Sequence, residues 1–175
     1  ILTGIETLPL RMQRHCENAQ RVAEWLKKHP SVSWVSYAGL KDDKYHAMQQ
    51  KYSPAGAGAV FTFGLKGGYD AGVKLVSSLE MFSHVANIGD TRSLVIHPAS
   101  TTHSGVPKAT RDRLGVDDAM IRISVGIENA DDLIAPARDG TNRVMLAAHR
   151  NGVKRVVLTS STVAVMYPHH YTRDH

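Results

Sequence analysis

The chain has 175 residues, is 42% hydrophobic and carries a formal charge of +5 with its histidines neutral. That length allows one ordinary core or two small ones, and the apolar content is that of a folded domain rather than a disordered one. Lysines and arginines are scattered in doublets such as Lys27-Lys28 and Lys154-Arg155, with no basic run interleaved with aromatics, so nucleic acid is not an expected partner. No apolar run approaches the roughly 20 residues of a membrane span, and Ile1 opens a helical pattern rather than a signal sequence. The expectation is a soluble, cytoplasmic chain cut from something longer. Cys16 is the only cysteine, which excludes an intrachain disulfide and fits a reducing compartment. Its helical spacing among apolar neighbours reads as core, not as a nucleophile.

In chain order, Met12, Cys16, Ala19, Val22, Ala23 and Leu26 recur at three- and four-residue intervals, which predicts an amphipathic helix stopped before Pro30. Residues 31–37 read as a strand closed by Gly39 and Asp42-Asp43, and residues 45–52 as a short helix ended by Ser53-Pro54. Residues 59–63, Ala-Val-Phe-Thr-Phe, form the clearest strand pattern, broken by Gly67-Gly68. Helical spacing resumes over 71–79. An extended piece over 81–87, a polar turn over 87–91 and a short strand over 93–96 stopped by Pro98 come next. A loop over 101–107 leads to a helix over 108–114 capped by Gly115. Residues 121–125 alternate Ile121, Ile123 and Val125 with Arg122 and Ser124, the pattern of a strand with one buried face. Asn129 then caps a helix whose first turn holds Asp131 and Asp132.

Pro136 and Gly140 interrupt that helix, and the pattern restarts over 141–151. Val156-Val157-Leu158 followed by Thr159-Ser160-Ser161 has the aliphatic character of a buried parallel strand with small hydroxyls at its carboxyl end, where ligands of open parallel sheets sit.

Ser93, His97, His103, Arg122 and Ser124 are the polar residues expected to converge. A guanidinium is a planar fork that matches a carboxylate bidentately, so Arg122 can hold an α-carboxylate with Ser93 adding a hydrogen bond. Spacing alone leaves open that Arg122 is a surface strand arginine and Ser93 a strand-edge hydroxyl. His97 and His103 stand six residues apart without cysteine or an acidic partner, so no metal site is expected. Asp42-Asp43 and Asp131-Asp132 lie at element ends, where acids cap or solvate rather than transfer protons.

Five blocks carry a resemblance: residues 4–12, GIETLPLRM; 14–19, RHCENA; 58–64, GAVFTFG; 93–103, SLVIHPASTTH; and 122–128, RISVGIE. In this order residues 1–134 resemble the carboxyl-terminal domain of the Cys/Met-metabolism pyridoxal-phosphate enzymes, within them the O-acetylhomoserine sulfhydrylases. The resemblance implies an α/β fold: the α+β small domain of the aspartate-aminotransferase-like, fold-type I enzymes. It implies that Arg122 binds the substrate α-carboxylate and that Ser93 lies beside it and orients the substrate. The implied reaction replaces the acetate of O-acetylhomoserine with sulfide or a thiol, in a tetrameric parent enzyme. The family's cofactor lysine stands in a Ser-x-Thr-Lys context that this chain lacks. Pyridoxal phosphate is therefore not expected to attach covalently to this chain, no catalytic residue is assigned, and the chain alone is expected to be inactive.

Residues 135–175 resemble a different family, the NAD-dependent epimerases and extended short-chain reductases, through Pro136 to Val144 and Gly152 to Ser161. This implies an appended Rossmann-like helix–strand fragment with Thr159, Ser160 and Ser161 near a nucleotide. The glycine-rich fingerprint is missing, and Tyr171 is followed four residues on by His175 instead of lysine, so NAD is not an expected cofactor. Two alternatives follow from this: a non-catalytic composite or chimeric α/β module, and a reductase fragment.

Overall fold

The computed structural model describes residues 2–134. The predicted helix 141–151, the predicted strand at 156–158 and Thr159, Ser160 and Ser161 lie outside the described residues.

A short helix α1 (Leu2–Glu6) leads through Thr7 into the long helix α2 (Leu8–Lys28). The sequence pattern starts this helix at Met12, but it begins four residues earlier because Pro9 falls in its first turn, where a missing N–H costs nothing. Its buried stripe is His15, Asn18, Ala19, Val22, Ala23 and Leu26, and it ends where the His29 N–H bonds Leu26 O ahead of Pro30. Strand β1 (Val32–Ser36), helix α3 (His46–Tyr52), strand β2 (Val60–Leu65) and helix α4 (Gly68–Ser78) follow. Helix α4 starts three residues before the predicted Ala71, since Gly67-Gly68 opens the helix as well as ending the strand, with Gly68 at φ +63°.

Of the extended piece expected over 81–87 only β3 (Ser83–His84) pairs. Strand β4 (Leu94–Ile96) gives way to a 3-10 turn at Pro98–Ser100, helix α5 (Lys108–Arg113) closes at Gly115 in the left-handed region, and strand β5 (Met120–Ser124) completes the sheet. A helix starts at Ala130, where the Asp131 N–H bonds Asn129 Oδ1, the predicted cap.

The five strands stand in the order β1-β2-β5-β4-β3. All neighbours are antiparallel except β3 and β4. Strand β5, last in sequence, is central in space. One face of the sheet presents Phe61, Phe63, Ile121, Ile123 and Val95 to Val22 and Leu26 of α2 and to Leu75 and Val76 of α4. Each such buried side chain contributes about 1.5–3 kcal/mol. The class is thus mixed α and β with helices α2 and α4 on one face of the sheet.

Candidate functional site

Strand β5, hydrogen-bonded to β2 on one side and to β4 on the other, places Arg122 opposite Thr62 of β2 and Ile96 of β4. Alternation sends Ile121 and Ile123 into the core and turns Arg122 and Ser124 to the opposite face. There the half-buried Arg122 lines a shallow recess with Val85, Asn87, Leu94, Ile96 and Ser124. Its Nη2 donates to the Asn87 carbonyl oxygen at 3.3 Å, the long end of the hydrogen-bond range. Among the described residues no Asp or Glu pairs with this guanidinium. An arginine fixed in mid-sheet without an acidic partner among the described residues keeps a planar fork of donors whose geometry can match a carboxylate.

Ser93 immediately precedes β4 and is fully buried. Its N–H donates to Glu128 Oε1 at 2.5 Å, its hydroxyl donates to Glu128 Oε2 at 3.0 Å, and its Oγ accepts the Gly126 N–H at 2.9 Å. The backbone beyond β5 is held from the other side by α2. His15 Nδ1 donates to Val125 O at 2.6 Å, and Asn18 Nδ2 donates to Gly126 O at 3.0 Å and Glu128 O at 2.7 Å. Gly126 fits between these because it lacks a side chain: an added Cβ would stand 2.3 Å from both Glu128 Oε2 and Thr91 O. Glu128, His15 and Asn18 were not among the predicted site residues. The available signal was two polar side chains, three residues apart, on the apolar stripe of α2.

Of the five polar residues expected to converge, Arg122 and Ser124 share the recess, whereas Ser93, His97 and His103 do not line it. Ser93, like His97, stands an odd number of residues from Ile96 and so turns away from Arg122. Because Ile96 shares the face of Arg122, His97 turns to the other side and packs against α4, where a Cβ on Gly72 would lie 2.6 Å from its ring. Its Nε2 donates to Asp118 O at 2.9 Å, and its Nδ1 lies 2.8 Å from Ser100 Oγ, so the imidazole is fully engaged in holding the turn after β4. Burial pushes the Asp118 carboxyl up, but bonds from Arg111 and Lys108 outweigh it and hold the group below the ordinary carboxylate range. His103 lies in the following loop beside Thr102. Asp43 Oδ1 accepts the Tyr45 N–H ahead of α3, an end-of-element role as expected, whereas Asp42 and Asp131 form exposed ion pairs with Lys27 and Arg21 instead of capping. Among the described residues no three His, Cys, Asp or Glu side chains are grouped to hold a metal, and no helix is long and apolar enough to cross a membrane.

Comparison with known proteins matches residues 1–140 to the Cys/Met metabolism PLP-dependent enzyme family. That span runs past Ile134 into the Pro136–Gly140 stretch that also entered the reductase resemblance. The chain is 49% identical over 139 residues to O-acetyl-L-homoserine sulfhydrylase 1 of Thermus thermophilus, covering 79% of this chain and 33% of that protein. It is 41% identical over 144 residues to the L-methionine gamma-lyase of Fusobacterium nucleatum, covering 82% and 36%. A crystal structure from Campylobacter jejuni, described as an O-acetylhomoserine (thiol)-lyase and bearing a pyridoxyl-lysine phosphate, superposes with a TM-score of 0.72 at 40% identity. It covers 77% of this chain and 32% of the other. The chain thus spans about a third of the length of the relatives it matches. With the strand that carries Arg122 inside the matched span, the chain belongs to the Cys/Met metabolism PLP-dependent enzyme family.

Proposed function

We propose that residues 2–134 form the substrate-carboxylate-binding part of an O-acetylhomoserine sulfhydrylase, an enzyme that exchanges the acetate of its substrate for sulfide or a thiol. The observation that carries this reading is the guanidinium of Arg122, without an acidic partner among the described residues, on the central strand of a domain shared with sulfhydrylases. Relatives named as sulfhydrylases and one named as an L-methionine gamma-lyase share this segment, which suits a part that grips the common amino-acid end of different substrates. Ser93, clamped by Glu128, fixes the junction between β4 and the segment after β5, and in this reading it orients the substrate through that backbone rather than by touching it.

The described residues do not fit the cofactor itself. Every lysine among them is exposed, and the recess at Arg122 is too shallow to shelter a pyridine ring and its phosphate. Pyridoxal phosphate, the electron sink of such reactions, would be held by residues other than these, and the parent enzyme would be a homo-oligomer. Thr159, Ser160 and Ser161 have no part in this reading.

The test is an NMR titration of the 175-residue chain with O-acetyl-L-homoserine. Binding in the millimolar range that disappears in Arg122→Ala supports the proposal, and binding that survives this substitution overturns it. A cofactor titration that gives this chain alone a stable lysine-linked chromophore and thiol-dependent turnover would overturn its assignment as the non-catalytic part.

A further inference from the structure

Ser93, immediately before β4, and Ser124, at the end of β5, differ in what their hydroxyls have left to give. Ser93 has one hydroxyl proton, and it is donated to Glu128 Oε2, while its Oγ already accepts the Gly126 N–H. A carboxylate needs donors, and this serine has none to spare. Ser124 is 2% exposed, and its Oγ has no hydrogen-bond partner among the described residues. Leaving such a group buried and unpaired costs free energy, so an unpaired hydroxyl in a well-packed sheet calls for a ligand. Ser124 stands two residues beyond Arg122 on the same face of β5, about 6.6 Å along the strand, and lines the same recess.

We infer that Ser124 is the second donor of the carboxylate site, its hydroxyl bonding the oxygen of the substrate carboxylate that lies deeper in the recess while the Arg122 fork takes the outer side. The inference rests on the reading of Arg122 as the carboxylate receptor. Arg122 rests on the Asn87 carbonyl, one long bond from an exposed segment, and Ser124, on the same recess, is buried. A carboxylate in the recess takes the Arg122 fork in place of the Asn87 carbonyl and accepts the Ser124 hydroxyl, so that both donors hold it together. Ser124 thereby becomes a binding residue, and Ser93 a positioning residue that works through Glu128.

The experiment titrates O-acetyl-L-homoserine and its methyl ester, which lacks the negative charge, into the 175-residue chain, following amide shifts around β5. For the chain itself the acid binds and the ester does not. Ser124→Ala weakens binding of the acid roughly tenfold, Ser124→Thr, which restores the hydroxyl, recovers it, and Ser93→Ala shifts the spectrum near Glu128 with less than a threefold change in affinity. If Ser124→Ala binds as tightly as the parent chain while Arg122→Ala loses binding, the inference fails and the carboxylate reading stands. If acid and ester bind alike, or Arg122→Ala has no effect, the reading fails and takes the inference with it. A Ser124→Ala chain whose spectrum collapses is replaced in the titration by Ser124→Cys, for which the same tenfold loss is expected and full affinity overturns the inference.

Discussion

Glu128 holds Ser93 at two points across 35 residues of sequence, accepting its backbone N–H at 2.5 Å and its hydroxyl at 3.0 Å. Both bonds charge-assist the junction between β4 and the segment after β5. Glu128→Ala leaves the fully buried Ser93 without either acceptor and is expected to lower stability by about 1–3 kcal/mol in urea unfolding. Glu128→Gln keeps one acceptor oxygen and should cost less. Hydrogen exchange at the Ser93 amide reads the same loss locally, and an unchanged exchange rate in Glu128→Ala would count against the brace.

Gly126 predicts a steric effect. An alanine there brings its Cβ to 2.3 Å from Thr91 O, a backbone atom that cannot swing aside. Gly126→Ala should therefore destabilise by about 1–3 kcal/mol or more, whereas Gly105→Ala, with nothing within 4 Å, should stay within about 0.5 kcal/mol of the parent. Equal unfolding midpoints for the two variants would contradict the packing described.

Asn18 satisfies two carbonyls at once. Asn18→Ala leaves Gly126 O and Glu128 O without that donor and is expected to cost about 1–3 kcal/mol in chemical denaturation. Asn18→Asp, which sets carboxylate oxygens against the same carbonyls, should cost at least as much at neutral pH. A neutral outcome for both would show that the latch from α2 to the end of β5 contributes little.

His29 sets a pH dependence. Burial lowers its pKa from the usual 6.5, its ring packs 5.0 Å from Trp25, and its Nδ1 accepts the Ser31 N–H at 3.2 Å. The unfolded chain therefore takes up the proton first, and stability present above about pH 6.5 is lost as pH falls through the folded value. His29→Gln should flatten this slope between pH 7.5 and pH 5 relative to the parent chain. An identical slope in the variant would assign the dependence to other groups.

Much of the element order was legible in the sequence because local periodicity carries it. The stripe from Ala19 to Leu26 and the alternation of Ile121, Arg122 and Ile123 reflect the period of one helix and one strand. Boundaries were harder. Pro9 and Gly68 both punctuate and initiate helices, and only the surrounding backbone decides which. Arg122 was legible as a candidate receptor, since its face followed from alternation. The partners of Ser93 were not, because Glu128 and Gly126 reach it over more than thirty residues and no periodicity links them. Alternation within β4 already set His97 against Ile96, and applying it there would have separated this histidine from Arg122.

The position of β5 has a consequence for synthesis. Strands β2 and β4 are both finished before residue 120 exists, yet neither touches the other, because the gap between them is filled by the strand that comes last. Before that strand exists the inner edges of β2 and β4 have no partner in this sheet, and an unpaired edge is open to foreign pairing. Insertion of the arginine-bearing strand closes both edges in one event, so the sheet and the mid-sheet position of Arg122 are completed together.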